Sequence, residues 1–143
     1  MDLLTQTNAD AARRLFEAVE NRNPQGVATI YHARIVINEA PSLPYGGEYL
    51  GHEGAFRHGQ GFRAAWDRFQ PLEARSLDPR FVAQDDYVAV QWRHRAENRA
   101  TGESIDLPAA GVYRFVDGMV VDSRMFHFDI AALLQFLNRN ATG

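Results

Sequence analysis

A chain of 143 residues fits one domain, residues 1–143, with no room for two of ordinary size; 45% hydrophobic and 23% charged residues exclude a disordered or fibrous protein. The net charge of −3 contains no basic stripe, which argues against nucleic acid as a partner, and the lack of cysteine excludes disulfides and thiol catalysis. Residues 1–10 show no signal-peptide pattern and no apolar run nears the roughly 20 residues of a membrane helix, so a cytoplasmic protein with no membrane partner is expected.

Thr7-Asn8-Ala9-Asp10 reads as a helix start, and behind it Ala12, Leu15, Phe16 and Val19 form one apolar stripe that ends near Asn21. Asn23-Pro24 restarts a short helix, with Asn as cap, Pro at the first helical position, and Val27, Ile30 and Tyr31 as its buried side. From Ala33 to Ala40 the period changes to two, a strand on which Ile35, Ile37 and Glu39 share one side and Val36 and Asn38 the other. Pro41 to Gly47 is a loop by composition. A helical region follows from about His52 to Phe69, with Phe62, Ala65, Trp66 and Phe69 on one face and a break or kink expected at Gly59 and Gly61. Strands are expected over Leu72–Leu77, Arg80–Ala83, Tyr87–Glu97, Ser104–Phe115 and Met119–Phe128, with hairpin turns at Asn98–Gly102 and Asp117-Gly118. Asp129 caps a last helix carrying Ile130, Leu133, Leu134 and Leu137. Helices grouped before a meander of strands mean an α+β fold, a curved antiparallel sheet wrapped around N-terminal helices. The outer face of such a sheet needs cover, and a second copy of the chain, a homodimer, is the expected cover.

Four stretches carry a family resemblance: Glu20–Gly26, Ile35–Pro41, Leu43–Gly51, and Met125–Asp129 with the Leu-rich helix after it. They resemble the SnoaL-like/NTF2-like superfamily, which includes ketosteroid isomerases, scytalone dehydratase, limonene epoxide hydrolase and polyketide cyclases. The resemblance implies a cone-shaped barrel with a pocket between the concave face of the sheet and the first helices. It says little about activity, because the fold hosts enzymes, transport factors and association domains.

Glu39 ends an apolar row, where a carboxylate is costly unless paired or protonated; such a site raises a carboxyl pKa and suits a general base. By resemblance this position matches the proton-moving carboxylate of ketosteroid isomerases. The alternative is an ordinary ion pair at the rim. His94 shares parity with Val88, Val90 and Trp92, and His127 with Ser123 and Met125, so two imidazoles can face the pocket as acid, base or hydrogen-bond donor; the alternative is a histidine bonded to a backbone carbonyl. Tyr113 needs a partner for its hydroxyl, from a ligand or from the backbone. Trp92, Trp66, Met125 and Phe62 are expected to line the pocket, with Tyr45 and His58 at its mouth and Ser123 in the His127 row.

The resemblance also has gaps. The tyrosine that the isomerases use in their first helix corresponds to about Leu15 or Phe16, and their second acid falls near Gly111, so steroid isomerisation is not expected. No Asp-Arg-Asp set like that of the epoxide hydrolases can be assembled on inward positions, whereas Glu39, His94, His127 and Tyr113 are closer to the dehydratase palette. No metal-binding spacing, phosphate loop or nucleophile elbow appears, so no metal or cofactor is expected. The sequence thus predicts a cofactor-independent isomerase, cyclase or dehydratase acting on a small apolar carbonyl or hydroxyl compound, with a ligand-binding or dimer-association module as the rival.

Overall fold

The structure, a computed structural model, describes residues 2–141. Helix α1 spans Leu3–Glu20 and α2 spans Pro24–Ile30, followed by β1 (Tyr31–Glu39), β2 (Gly47–Leu50) and α3 (Gly51–Trp66). Two short 3₁₀ turns, Asp67–Phe69 and Leu72–Arg75, lead into β3 (Arg80–Gln84), β4 (Tyr87–Asn98), β5 (Glu103–Val116) and β6 (Met119–His127), and α4 (Ile130–Arg139) ends the chain.

The strands form one sheet in the order β2-β1-β6-β5-β4-β3. All neighbours are antiparallel except β1 and β6, which run parallel. The sheet is therefore mixed rather than wholly antiparallel, because β6 comes back beside β1 only after a long excursion through α3 and the meander, and a connection of that length permits either direction. It also stays open, with β2 and β3 at its edges, rather than closing into a barrel. Its curvature has local causes. Val121 is an extra residue on β6 between the pairs Arg114–Asp122 and Phe115–Val120, and the β1–β6 register shifts between Tyr31 and Val36. Bulges of this kind bend a strand and re-aim the side chains beyond them. On β6 the shift carries the inner-face row from Val120 to Ser123, Met125 and His127.

The concave face carries Ile35 and Ile37, then Val88, Val90 and Trp92, then Ala109, Tyr113 and Phe115, all buried. Leu15 and Phe16 of α1 pack into it, and Phe16 meets Phe81, Trp92 and Tyr113 with ring centroids 5.6, 5.3 and 5.9 Å away. Burying a side chain such as Leu15 is worth roughly 1.5–3 kcal/mol, which is what holds α1 across the sheet. A second cluster of Leu43, Tyr45, Trp66, Phe69, Leu133 and Phe136 ties α3 and α4 to the far end of β4.

Several local expectations change. Helix α1 starts at Leu3, not Thr7, because Asp2 is the cap and its carboxylate accepts the Thr5 N–H at 2.7 Å. Gly59 and Gly61 do not break α3, which runs through both; a Cβ on Gly61 would sit 2.8 Å from Tyr45 Cβ, so the glycine is there for close approach. The loop expected up to Gly47 gives way to β2, an edge strand too short to show periodicity. The strand expected over Leu72–Leu77 is a 3₁₀ turn closed by Ala74 N–H on the Pro71 carbonyl at 2.8 Å. Only Leu77 keeps a strand-like bond, accepting the Arg93 N–H at 2.8 Å. The Asn23 and Asp129 caps stand as expected, bonded to the N–H groups of Gly26 and Ala132, each at 3.0 Å.

Candidate functional site

Strand parity brings Glu39 inside. Following Ile35 and Ile37 on the concave side of β1, it is 5% exposed. Its Oε1 accepts from the Ala40 N–H at 3.0 Å and from His127 Nε2 at 3.0 Å, and its Oε2 accepts from His58 Nε2 at 2.9 Å. An ionised carboxylate only accepts, so both Nε2 atoms carry hydrogen. Burial pushes the carboxyl pKa up, but the bonds from His127 and His58, with the attraction of their charged forms, outweigh it and hold Glu39 at about 2. This reverses the raised carboxyl pKa expected from the sequence, because the apolar row ends not in a dry gap but between two imidazoles contributed by other elements.

His127 reaches the site from the end of β6 and His58 from the middle of α3, where its ring lies 6.1 Å from that of Tyr45 and 5.1 Å from that of Tyr49. Nδ1 of His127 is buried and has no partner among the described residues. His94 stands on β4 with its ring 4.3 Å from Trp66, 5.9 Å from Phe62 and 6.5 Å from His127, and its buried Nε2 also lacks a partner. Burial, helped by the nearby His127 and opposed by Glu39, pushes His94 down to about 3, so it is a neutral imidazole at pH 7.

Tyr113 lies in the same concavity. Its ring folds back over Gly111, where a Cβ would come within 2.8 Å of Cε2, and burial raises its hydroxyl pKa well above the ordinary value. These groups surround a cavity of about 230 Å³ whose wall includes Glu39, His58, His94, His127, Tyr113 and Tyr45, with Phe62, Trp92 and Met125 as apolar surface. Trp66 and Ser123 are fully buried behind the wall rather than on it. The indole N–H of Trp66 donates to the Tyr45 hydroxyl at 2.8 Å, and Ser123 pairs across the sheet with Tyr113 and Ile37. Tyr45 is thereby a buried wall residue rather than a residue at the mouth.

The wall also holds residues that sequence reasoning did not assign to it: Tyr31, His52, Arg22, Arg63 and Gln70. Burial pushes Tyr31 up to about 12. His52 Nε2 lies 2.8 Å from the Tyr31 carbonyl, a contact between α3 and the start of β1. Arg22 sits in the turn between α1 and α2 with φ 53°, a position that no periodicity marks. The described residues contain no group of three or more His, Cys, Asp or Glu placed to hold a metal ion, and no helix long and apolar enough to cross a membrane.

Solved structures share this architecture. TerC co-crystallized with polyporic acid is 18% identical, covers 92% of this chain and 98% of its own, and has a TM-score of 0.79. An NTF2-like protein from Burkholderia pseudomallei is 21% identical over 92% of this chain and 97% of its own, with a TM-score of 0.77. A protein designated a SnoaL-like polyketide cyclase, from Jannaschia sp. CCS1, is 18% identical over 93% of each chain, with a TM-score of 0.70. At these identities the likeness is one of fold. No curated protein matches the sequence. The model of the SnoaL-like domain matches residues 12–123, most of the chain, and the protein therefore belongs to the SnoaL-like domain family.

Proposed function

We propose that the protein is a cofactor-independent enzyme that moves a proton next to the carbonyl or hydroxyl group of a small, mostly apolar compound, as an isomerase, cyclase or dehydratase does. The observation that carries this reading is the His58–Glu39–His127 array, in which both oxygens of one buried carboxylate meet imidazole Nε2 atoms at 2.9 and 3.0 Å on the wall of an apolar cavity. A carboxyl group held at about 2 is a weak base, so Glu39 acts as the fixed anion that orients the rings and stabilises an imidazolium. In the uncharged form of His127, with Nε2–H donated to Glu39, the free lone pair is on Nδ1, the atom without a partner, and that atom takes the substrate proton. Neutral His94 and the hydroxyl of Tyr113 are the donors for the oxygen on which charge develops. The neighbour designated a polyketide cyclase and the one co-crystallized with polyporic acid are consistent with a small organic ligand in this cavity.

The test is deuterium incorporation next to the carbonyl of a panel of small apolar ketones in D₂O, followed by proton NMR. Exchange above buffer is expected in the wild type, falling roughly 10²–10⁴-fold in Glu39→Gln and in His127→Gln. Ketones that bind but exchange no faster than in buffer would show a binding module instead. The same reading includes a homodimer in which a second copy of the chain covers the outer face of the sheet, where Val82, Val112 and Phe126 are exposed. Light scattering that gave the monomer mass at micromolar concentration would remove the dimer from the proposal.

A further inference from the structure

Two arginines, Arg22 and Arg63, line the α1–α2 end of the cavity, and Asp67 pairs with the first of them. The guanidinium of Arg22 donates through Nη2 to Gln70 Oε1 and lies 3.3 Å from Asp67 Oδ1, while its Nη1 reaches the Val19 carbonyl at 3.4 Å. Gln70 is itself fixed: its Nε2 donates to the Arg95 carbonyl at 2.9 Å, and its backbone carbonyl accepts from Arg75 Nε at 3.0 Å. The Arg22 Nε is buried and has no acceptor among the described residues. Arg63 also lines the cavity, half-buried, with its Nη1 lying 3.1 Å from where a Cβ on Gly59 would stand. None of the hydrogen bonds or ion pairs among the described residues gives Arg63 an acceptor. Burial lowers the Arg22 pKa, Asp67 opposes this, and Arg75 and Arg63 repel its charge and lower it further.

A structural role for such a group would come with its counter-charge built in, as Asp67 is for Arg22. Partly buried cations without acceptors lose hydration and regain nothing. The fork of donors on a guanidinium matches a carboxylate in shape and charge, and gives hydrogen bonds about twice as strong as neutral ones. The ring of Phe62 connects this end to the rest of the site, with Arg22 Cζ 5.9 Å from its centroid on one side and the rings of His94 and Tyr45 5.9 and 5.5 Å away.

We propose that the cavity takes an amphipathic acid, whose carboxylate is held by Arg22 and Arg63 while its apolar body lies along Phe62 and Trp92 toward Glu39 and its histidines. This rests on the reading of the cavity as a substrate site and names the class of substrate. Isothermal titration of the full chain with 2-naphthoate and with its neutral counterpart 2-naphthamide tests it. Charge-assisted bonds predict that the acid binds about tenfold tighter than the amide or better. That preference should vanish in Arg63→Gln, which breaks no side-chain hydrogen bond or ion pair among the described residues, and shrink in Arg22→Lys, which keeps the charge but loses the fork. Equal affinity of acid and amide for the wild type would overturn the acid assignment and leave the cavity as a site for neutral ligands. Binding of neither would overturn it too, while the ketone exchange measurement still decides independently whether the histidine–carboxylate array moves protons. An acid preference that survives in Arg63→Gln would place the anion elsewhere and equally refute the assignment.

Discussion

Replacing His94 by leucine should flatten the acid limb of the stability curve. His94 is 4% exposed, and its pKa is pushed from 6.5 to about 3 by burial. The unfolded chain therefore binds a proton at this residue as the pH drops below 6.5, whereas the folded chain does not until about pH 3. A depressed native pKa means stability that is complete above the unfolded value and lost as the pH falls toward the folded one. One proton per molecule corresponds to about 1.4 kcal/mol per pH unit, so acidification from pH 7 to 4.5 should cost the wild type about 2.6 kcal/mol through this residue alone. Urea unfolding at half-unit pH steps, followed by tryptophan fluorescence, gives the two curves. The His94→Leu substitution will also shift its curve vertically, because packing against Trp66 changes, but only the difference in slope is diagnostic. Parallel curves between pH 7 and 4.5 would mean that His94 is protonated in the folded state, and would remove it as a neutral donor in the site.

Two glycines two residues apart in α3 should respond with opposite signs. Gly59→Ala meets only the mobile end of Arg63 and should raise stability by up to about 1 kcal/mol through helix propensity, whereas Gly61→Ala drives a methyl against Tyr45 Cβ and should lower it by about 1–3 kcal/mol. Thermal melts of the pair decide this, and a rise in stability for both would show that Tyr45 yields easily. Asp129→Ala removes the acceptor of the Ala132 N–H and should cost about 1 kcal/mol in urea unfolding, while Asp129→Asn should cost a few tenths; equal losses would mean that charge, not the cap bond, holds the start of α4.

The elements most legible in the sequence were those with many repeats of a period. The alternation along β4 and β5, the Asp117-Gly118 turn with φ values of 53° and 74°, and the stripe Leu15–Phe16–Val19 all specify structure locally. The same alternation put Glu39 with Ile35 and Ile37, and His94 with Val90 and Trp92, because a strand has only two sides. Periodicity is silent where an element is brief or where its neighbours are remote. Strand β2 has four residues, and the Leu72–Arg75 turn imitates a strand over too few residues for the two to be told apart. The parallel pairing of β1 with β6 is a contact between segments nearly ninety residues apart, and nothing local encodes its direction. The site shows the division most clearly. One sequence names a carboxylate and several histidines; the pKa of Glu39 depends on which of those imidazoles arrive at its oxygens, and they come from α3 and from beyond the bulge in β6. A charge is placed by its own strand, but its chemistry is set by groups that only the folded chain brings within about 3 Å.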